Sequence, residues 1–238
     1  MKIALVGYGA MGKVVEANVS ADEQIIGIVA PETGVSFADL KEKPDVIIDY
    51  SHPALLNSVC EYAIANNVPV VVATTGHSAE QVEQIKDLAT KVPVLYSGNY
   101  SLGVILLNRL VKQITPILKD SFDIEIIEKH HNKKVDAPSG TAKMLVNSVN
   151  ADGDMNIVYG REGASKRQPY DVGVHAIRGG TIVGEHEVLY CGTDEVISIK
   201  HEAFSKKIFA KGALLGAKWL IGKPNGLYNM EQVLFGDK

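Results

Sequence analysis

Apolar residues in the first hundred positions fall in short, largely β-branched runs at 3–6, 25–29, 46–49, 68–72 and 92–95, most of them separated by amphipathic stretches. These runs are apolar almost throughout rather than alternating. That predicts strands buried on both faces of a parallel sheet with helices packed on either side, the βαβ grammar of an α/β fold. Pro53, Pro69 and Pro93 stand at the edges of these elements, where a missing N–H costs little.

Ser101 is placed to cap a helix whose apolar positions Val104, Leu107, Val111, Ile114 and Leu118 recur at spacings of three and four. Beyond it the pattern changes to longer runs with period-two alternation at 122–128, 172–178, 182–190 and 195–201. Such runs predict a mixed, largely antiparallel sheet with one apolar and one polar face, and Gly179-Gly180 reads as a hairpin turn between the middle two. A helix is expected at 139–150. A last one, at 205–221, carries Ile208, Phe209, Leu214, Leu215 and Trp219, ends at Gly222 and Pro224, and is expected to return to the first sheet. The polar stretch 160–171 reads as a mobile loop. The resulting organisation is two domains, 1–101 with 206–238, and 102–205.

A chain of 238 residues that is 46% hydrophobic can bury two such cores, and its formal net charge of −4 argues against nucleic-acid and polybasic membrane partners. A small-molecule partner is the expectation. Cys60 and Cys191 are far apart and belong to no ligand spacing, so a reduced, cytoplasmic chain without a metal is expected. The opening apolar run meets Gly7 too soon for a secretory leader, and no run approaches the roughly 18 apolar residues of a membrane span.

Two segments carry chemistry. Gly7-Tyr8-Gly9-Ala10-Met11-Gly12 has the GxGxxG spacing and lies between a predicted strand and a predicted helix. In that context Gly7 makes the tight turn, Gly9 lets backbone approach a pyrophosphate, and Gly12 lets the helix pack on the strand, as in a Rossmann-type domain. The plain alternative is a βα turn with no ligand. An acidic residue that would bond the ribose hydroxyls is missing at Ala30, although Glu32 follows shortly after, so NADH and NADPH both stay open. Ala73-Thr74-Thr75 and Ser97-Gly98-Asn99-Tyr100 each follow a strand of the same sheet and should line its ligand-binding edge.

The second segment, 130–141, packs His130, His131, Lys133, Lys134 and Asp136 against Pro138-Ser139-Gly140-Thr141. Two imidazoles and two ammonium groups beside a helix start make a cationic pocket for a carboxylated substrate with an acid catalyst in it. A metal is disfavoured, because adjacent residues leaving a strand point apart and no third ligand is suitably spaced. A solvated Lys pair is the ordinary alternative. His175, Arg178, His186 and His201 read as polar residues of a sheet face or subunit contact.

The run from Glu128 to Ala142 resembles the signature of the bacterial 4-hydroxy-tetrahydrodipicolinate (dihydrodipicolinate) reductase family, and similarity extends through 7–12, 73–76, 99–101, 159–163, 184–186 and 209–213. The resemblance implies a Rossmann domain built from both chain ends, a middle domain that binds substrate and forms a homotetramer, and a step of lysine biosynthesis through diaminopimelate. It also implies that His130 is the proton donor and Lys134 a second one. His131, Gly140 and Thr141 become substrate contacts, and Gly7 to Gly12, Ala73 to Thr75 and Ser97 to Tyr100 contact NADH or NADPH. Two rival readings are a non-catalytic dinucleotide sensor, which leaves 130–141 without purpose, and another nicotinamide-dependent reductase of amino-acid semialdehydes.

Overall fold

The computed structural model describes residues 1–236. They fall into two compact units, 1–102 with 206–236, and 103–205.

The first unit runs β1 (Lys2–Val6), α1 (Ala10–Glu16), β2 (Gln24–Val29), β3 (Val46–Asp49), α2 (Leu56–Asn66), β4 (Val70–Val72), α3 (Ala79–Ala89) and β5 (Pro93–Tyr96). The chain leaves through α4 (Leu102–Leu118) and returns through α6 (Lys207–Leu220) and the last strand, β11 (Gly226–Tyr228). Its strands pair all-parallel in the order β11-β5-β4-β3-β1-β2. Alternate side chains Ala4, Val6, Ile47, Val70, Val72 and Val94 pack with α2 and α3. The other face meets α6, whose Gly216 lies so close to Leu95 that a Cβ would fall 2.4 Å from its Cδ2. Burial on both faces explains why these strands are apolar throughout. The last strand, β11, is only three residues long and adds to the edge beside β5; so short a segment carries no periodicity to read.

The second unit runs through α4 into β6 (Asp123–His130), α5 (Gly140–Val149), β7 (Asn156–Tyr159), β8 (Asp171–Arg178), β9 (Gly184–Gly192) and β10 (Glu195–Ala203). After it come α6 (Lys207–Leu220), β11 (Gly226–Tyr228) and α7 (Met230–Phe235) of the first unit. Its sheet is mixed, in the order β10-β9-β6-β8-β7; β9 is antiparallel to β10 and β6, and β8 is parallel to β6 and β7. Residues Ile124, Ile126, Val172, Val174, Val188 and Tyr190 pack one face against Leu107 and Val111 of α4 and Leu145, Val146 and Val149 of α5. The expected hairpin at Gly179-Gly180 is not formed, because β6 lies between β8 and β9. The glycines instead wrap the end of β6, with Gly179 N–H donating to His130 O at 2.9 Å and Asn132 N–H to Gly180 O at 3.2 Å. Two alternating strands joined by a short glycine turn look the same in sequence whether they pair directly or straddle a third strand.

No helix among the described residues is long and apolar enough to cross a membrane.

Candidate active site

Side chains alternate along a strand, so Glu128 and His130, two apart at the end of β6, project to the same face, the one buried against α4 and α5. The Glu128 side chain is fully buried and His130 retains 9% of its exposure. Glu128 Oε2 lies 2.6 Å from His130 Nδ1. Arg178, paired with His130 in the β6–β8 register, grips the same carboxylate with two bonds, Nη1 to Oε2 at 2.8 Å and Nη2 to Oε1 at 2.7 Å. Arg178 Nη2 also donates to Asp136 O at 2.6 Å, tying the loop after β6 to the cluster.

The start of α5 closes the arrangement. Ser139 N–H donates to Glu128 Oε1 at 3.0 Å, and the Ser139 hydroxyl caps the helix by accepting from Ala142 N–H at 3.2 Å. His186, which faces Glu128 in the β6–β9 register, sets Nε2 2.9 Å from Ser139 Oγ and its ring 5.1 Å from that of His130. Gly140 and Thr141 are the first two residues of α5, and nothing lies within 4 Å of where a Gly140 Cβ would be. Lys134 Nζ stands 2.8 Å from Asp136 Oδ1, and its charge is felt at His130. His131 is the residue that follows β6, half-buried.

The electrostatics follow from these contacts. Burial alone would raise the Glu128 carboxyl, but Arg178, His130 and the Ser139 N–H together hold it below the ordinary carboxylate range. Burial pushes His130 below the usual imidazole value; Glu128 opposes this, while Lys134 and Arg178 add to it. Burial and the neighbouring His130 take His186 down to about 4. At neutral pH the cluster is therefore an ionised carboxylate, two neutral imidazoles and two cations. The first turn of α5, joined to this cluster through Ser139, and the Lys134 ammonium, whose charge reaches His130, suit a carboxylate ligand.

In the first unit, the turn from Gly7 to Gly12 leaves β1 and enters α1. Gly7 has φ +91, and a Cβ there would meet Ser51 Cα at 2.6 Å, while one on Gly12 would meet Gly7 O at 2.2 Å. Gly9 differs: a Cβ on it would meet nothing within 4 Å, and as the N-cap of α1 it offers no side-chain acceptor. The backbone N–H groups of Ala10, Met11 and Gly12 thus start a helix whose mouth is open, a fit for a pyrophosphate. Tyr8 and Gly9 line a cleft together with Glu32, Ser51 and His52.

The loops after β4 and β5 leave the same sheet edge, because all these strands run parallel. Ala73 and Thr74 are buried and Thr75 is exposed. Thr74 Oγ1 lies 2.9 Å from Oδ1 of the fully buried Asp49 and accepts from Ser51 N–H at 2.8 Å. In the other loop, Gly98 has open space at its Cβ position, Asn99 Oδ1 accepts from Ser101 N–H at 2.8 Å, and Ser97 Oγ from Met230 N–H at 3.4 Å. Tyr100 is anchored inward, its hydroxyl between Val72 O at 2.7 Å and Leu95 O at 3.0 Å.

Arg178 and His186, expected as polar residues of a sheet face or subunit contact, both reach the His130 cluster. His175 does lie away from it, with Nε2 2.8 Å from Glu125 Oε2. The role of Glu128 was missed, although its spacing of two from His130 was the signal that could have found it.

A family model described as "Dihydrodipicolinate reductase, N-terminus" matches residues 1–100, and one described as "Dihydrodipicolinate reductase, C-terminus" matches 103–234. The chain is 44% identical to a 4-hydroxy-tetrahydrodipicolinate reductase of Exiguobacterium sibiricum, over 97% of this chain and 95% of that one. It is 42% identical to one of Brachyspira hyodysenteriae, over 98% and 100%. A solved dipicolinate-bound dihydrodipicolinate reductase from Paenisporosarcina sp. TG-14 shares the fold, with a TM-score of 0.77 at 20% identity, covering 96% of this chain and 97% of that one.

Proposed function

The chain belongs to the dihydrodipicolinate reductase family, and from that premise we propose the division of labour by which it performs the family's reaction. That reaction is the nicotinamide-dependent reduction of the cyclic imine dicarboxylate from 4-hydroxy-tetrahydrodipicolinate to tetrahydrodipicolinate, in lysine biosynthesis through diaminopimelate. The chain is an oxidoreductase.

The first unit holds the cofactor and the second the substrate. The open mouth of α1 at Gly9 to Gly12, with Gly7 and Tyr8 before it, takes the pyrophosphate; the loops Ala73 to Thr75 and Ser97 to Tyr100 line the same edge. When bound, the reduced nicotinamide supplies the hydride. NADH is favoured over NADPH, because the cleft beside Gly9 presents the Glu32 carboxylate and no Lys or Arg among its lining residues. A 2′-phosphate would face like charge there, whereas ribose hydroxyls could donate to it.

In the second unit, Lys134 and the N–H groups at Gly140 and Thr141 hold a substrate carboxylate, with His131 beside them, and His130 delivers the proton. A neutral imidazole is a poor acid, and free His130 is held neutral by burial and two cations. A bound dicarboxylate brings two negative charges to the same place, offsets those cations and raises His130 toward protonation when a proton is needed. Lys134 stands by as a second donor. The observation that carries this assignment is the convergence of His130, Lys134 and the α5 mouth around the Glu128–Arg178 pair.

Self-association through the second unit's sheet, as a homotetramer, is supported by Ile177 and Val196, apolar yet 45% and 60% exposed on the face away from α4 and α5. A reduced cytoplasmic setting suits two free thiols, Cys60 and Cys191.

The test is a coupled assay with freshly generated 4-hydroxy-tetrahydrodipicolinate, following oxidation of NADH and NADPH in parallel. Turnover with a higher kcat/KM for NADH is expected. Dinucleotide binding without turnover would overturn the assignment.

A further inference from the structure

Glu128 has no role in the chemistry just described, yet it is the fully buried centre of the site. Its two oxygens meet four groups: Oε1 accepts from Ser139 N–H and Arg178 Nη2, and Oε2 accepts from Arg178 Nη1 and faces His130 Nδ1 at 2.6 Å. An ionised carboxylate has only acceptors, so the hydrogen in the contact with His130 must sit on Nδ1. The other ring nitrogen is then the one left to gain and lose a proton. It lies beside Gly184, where even a Cβ would come within 3.1 Å of Nε2.

We propose that Glu128 is a positioning residue for the reduction: it fixes neutral His130 as the Nδ1–H tautomer, so that the catalytic proton is exchanged at Nε2, and it locks that imidazole to the first turn of α5 through Ser139. This rests on His130 being the proton donor. The same carboxylate thus sets the proton donor and the carboxylate-binding helix mouth in fixed relation, which a separate cap and a separate ion pair would not do. The groups that set the charge at His130 come from every element around it: Glu128 on β6, Lys134 on the following loop, Arg178 on β8 and His186 on β9. Arg178 does not make the Glu128 contact redundant, because a guanidinium has no acceptor to offer Nδ1.

The alternative is that Glu128 serves only to neutralise Arg178, and Glu128→Gln separates the two. A Gln side chain can still accept from Ser139 N–H but turns an NH2 toward Nδ1, so neutral His130 must take the opposite tautomer. Full-length protein labelled with [15N]histidine reports this directly. In the wild type the His130 shifts should show protonated Nδ1 and bare Nε2, and in Glu128→Gln the reverse. In the coupled assay the variant should lose roughly 100-fold in kcat with KM for the dicarboxylate changed only a few-fold, and the pKa on the alkaline limb of its kcat profile, which reports the proton donor, should fall. Wild-type His130 with its hydrogen on Nε2 would overturn the proposal even if the variant did not fold. So would a Glu128→Gln enzyme with unaltered tautomer and kcat. The tautomer is read without catalysis, so it stays informative if His130→Gln turns over normally; that result would remove the donor assignment instead.

Discussion

Replacing Arg178 with Met keeps the length of the side chain but takes the guanidinium from a carboxylate that has no access to water. Glu128 would keep His130 and the Ser139 N–H and lose two charge-assisted bonds and its counter-charge. Removing one member of a buried pair costs about 3–5 kcal/mol. The Arg178 side chain is itself 19% exposed, and two of the carboxylate's four bonds survive, so the lower end applies, about 3 kcal/mol at neutral pH. The sign with pH is fixed by the depressed Glu128 pKa. In the wild type its contribution is complete above the unfolded value of 4.5 and is lost as pH falls through the lower folded value. In Arg178→Met the folded pKa rises, so the penalty is full at neutral pH and shrinks as acid protonates Glu128. Amide hydrogen exchange resolved on peptides from β6 and β8 reads the stability of this unit, with Trp219 fluorescence as a control for the other. Exchange roughly 100-fold faster than wild type at pH 7, with a smaller ratio at pH 5, is expected. A pH 7 ratio below about fivefold, or a ratio that grows as pH falls, would refute the ion-pair reasoning.

Three further outcomes follow from the two sites. Gly9→Ala should leave thermal stability unchanged, since its Cβ meets nothing within 4 Å, yet weaken dinucleotide binding by calorimetry at least roughly tenfold; unchanged affinity would remove the pyrophosphate from that turn. Glu32→Gln should raise KM for NADH and lower it for NADPH, narrowing the preference by roughly tenfold, and an unchanged ratio would dissociate Glu32 from the ribose. Lys134→Ala should cost about 10–100-fold in kcat/KM for the dicarboxylate, through both parameters, with under about 1 kcal/mol in stability because Asp136 is 53% exposed.

The parallel sheet was legible in the sequence because burial on both faces leaves an uninterrupted apolar run, as in 46–48 and 70–72, that few other structures produce. The glycine turn was legible for a related reason: Gly7 and Gly12 sit where any Cβ would strike backbone. The middle sheet was less so. Alternation fixes which residues share a face but not which strand is the neighbour, so β6 could slip between β8 and β9 unseen. The same blindness hid the cluster around His130. Arg178 and His186 are 48 and 56 residues from it in sequence, and only strand order brings them to Glu128. Long-range register, not local propensity, builds that part of the site.

The most direct measurement of the central claim is the steady-state kinetics of His130→Gln with freshly generated substrate and saturating NADH. If His130 supplies the proton while Lys134 and the α5 mouth hold the carboxylate, kcat falls by about 10²–10⁴ and KM for the dicarboxylate stays within a few-fold of wild type. A folded His130→Gln enzyme that turns over at the wild-type rate would contradict it.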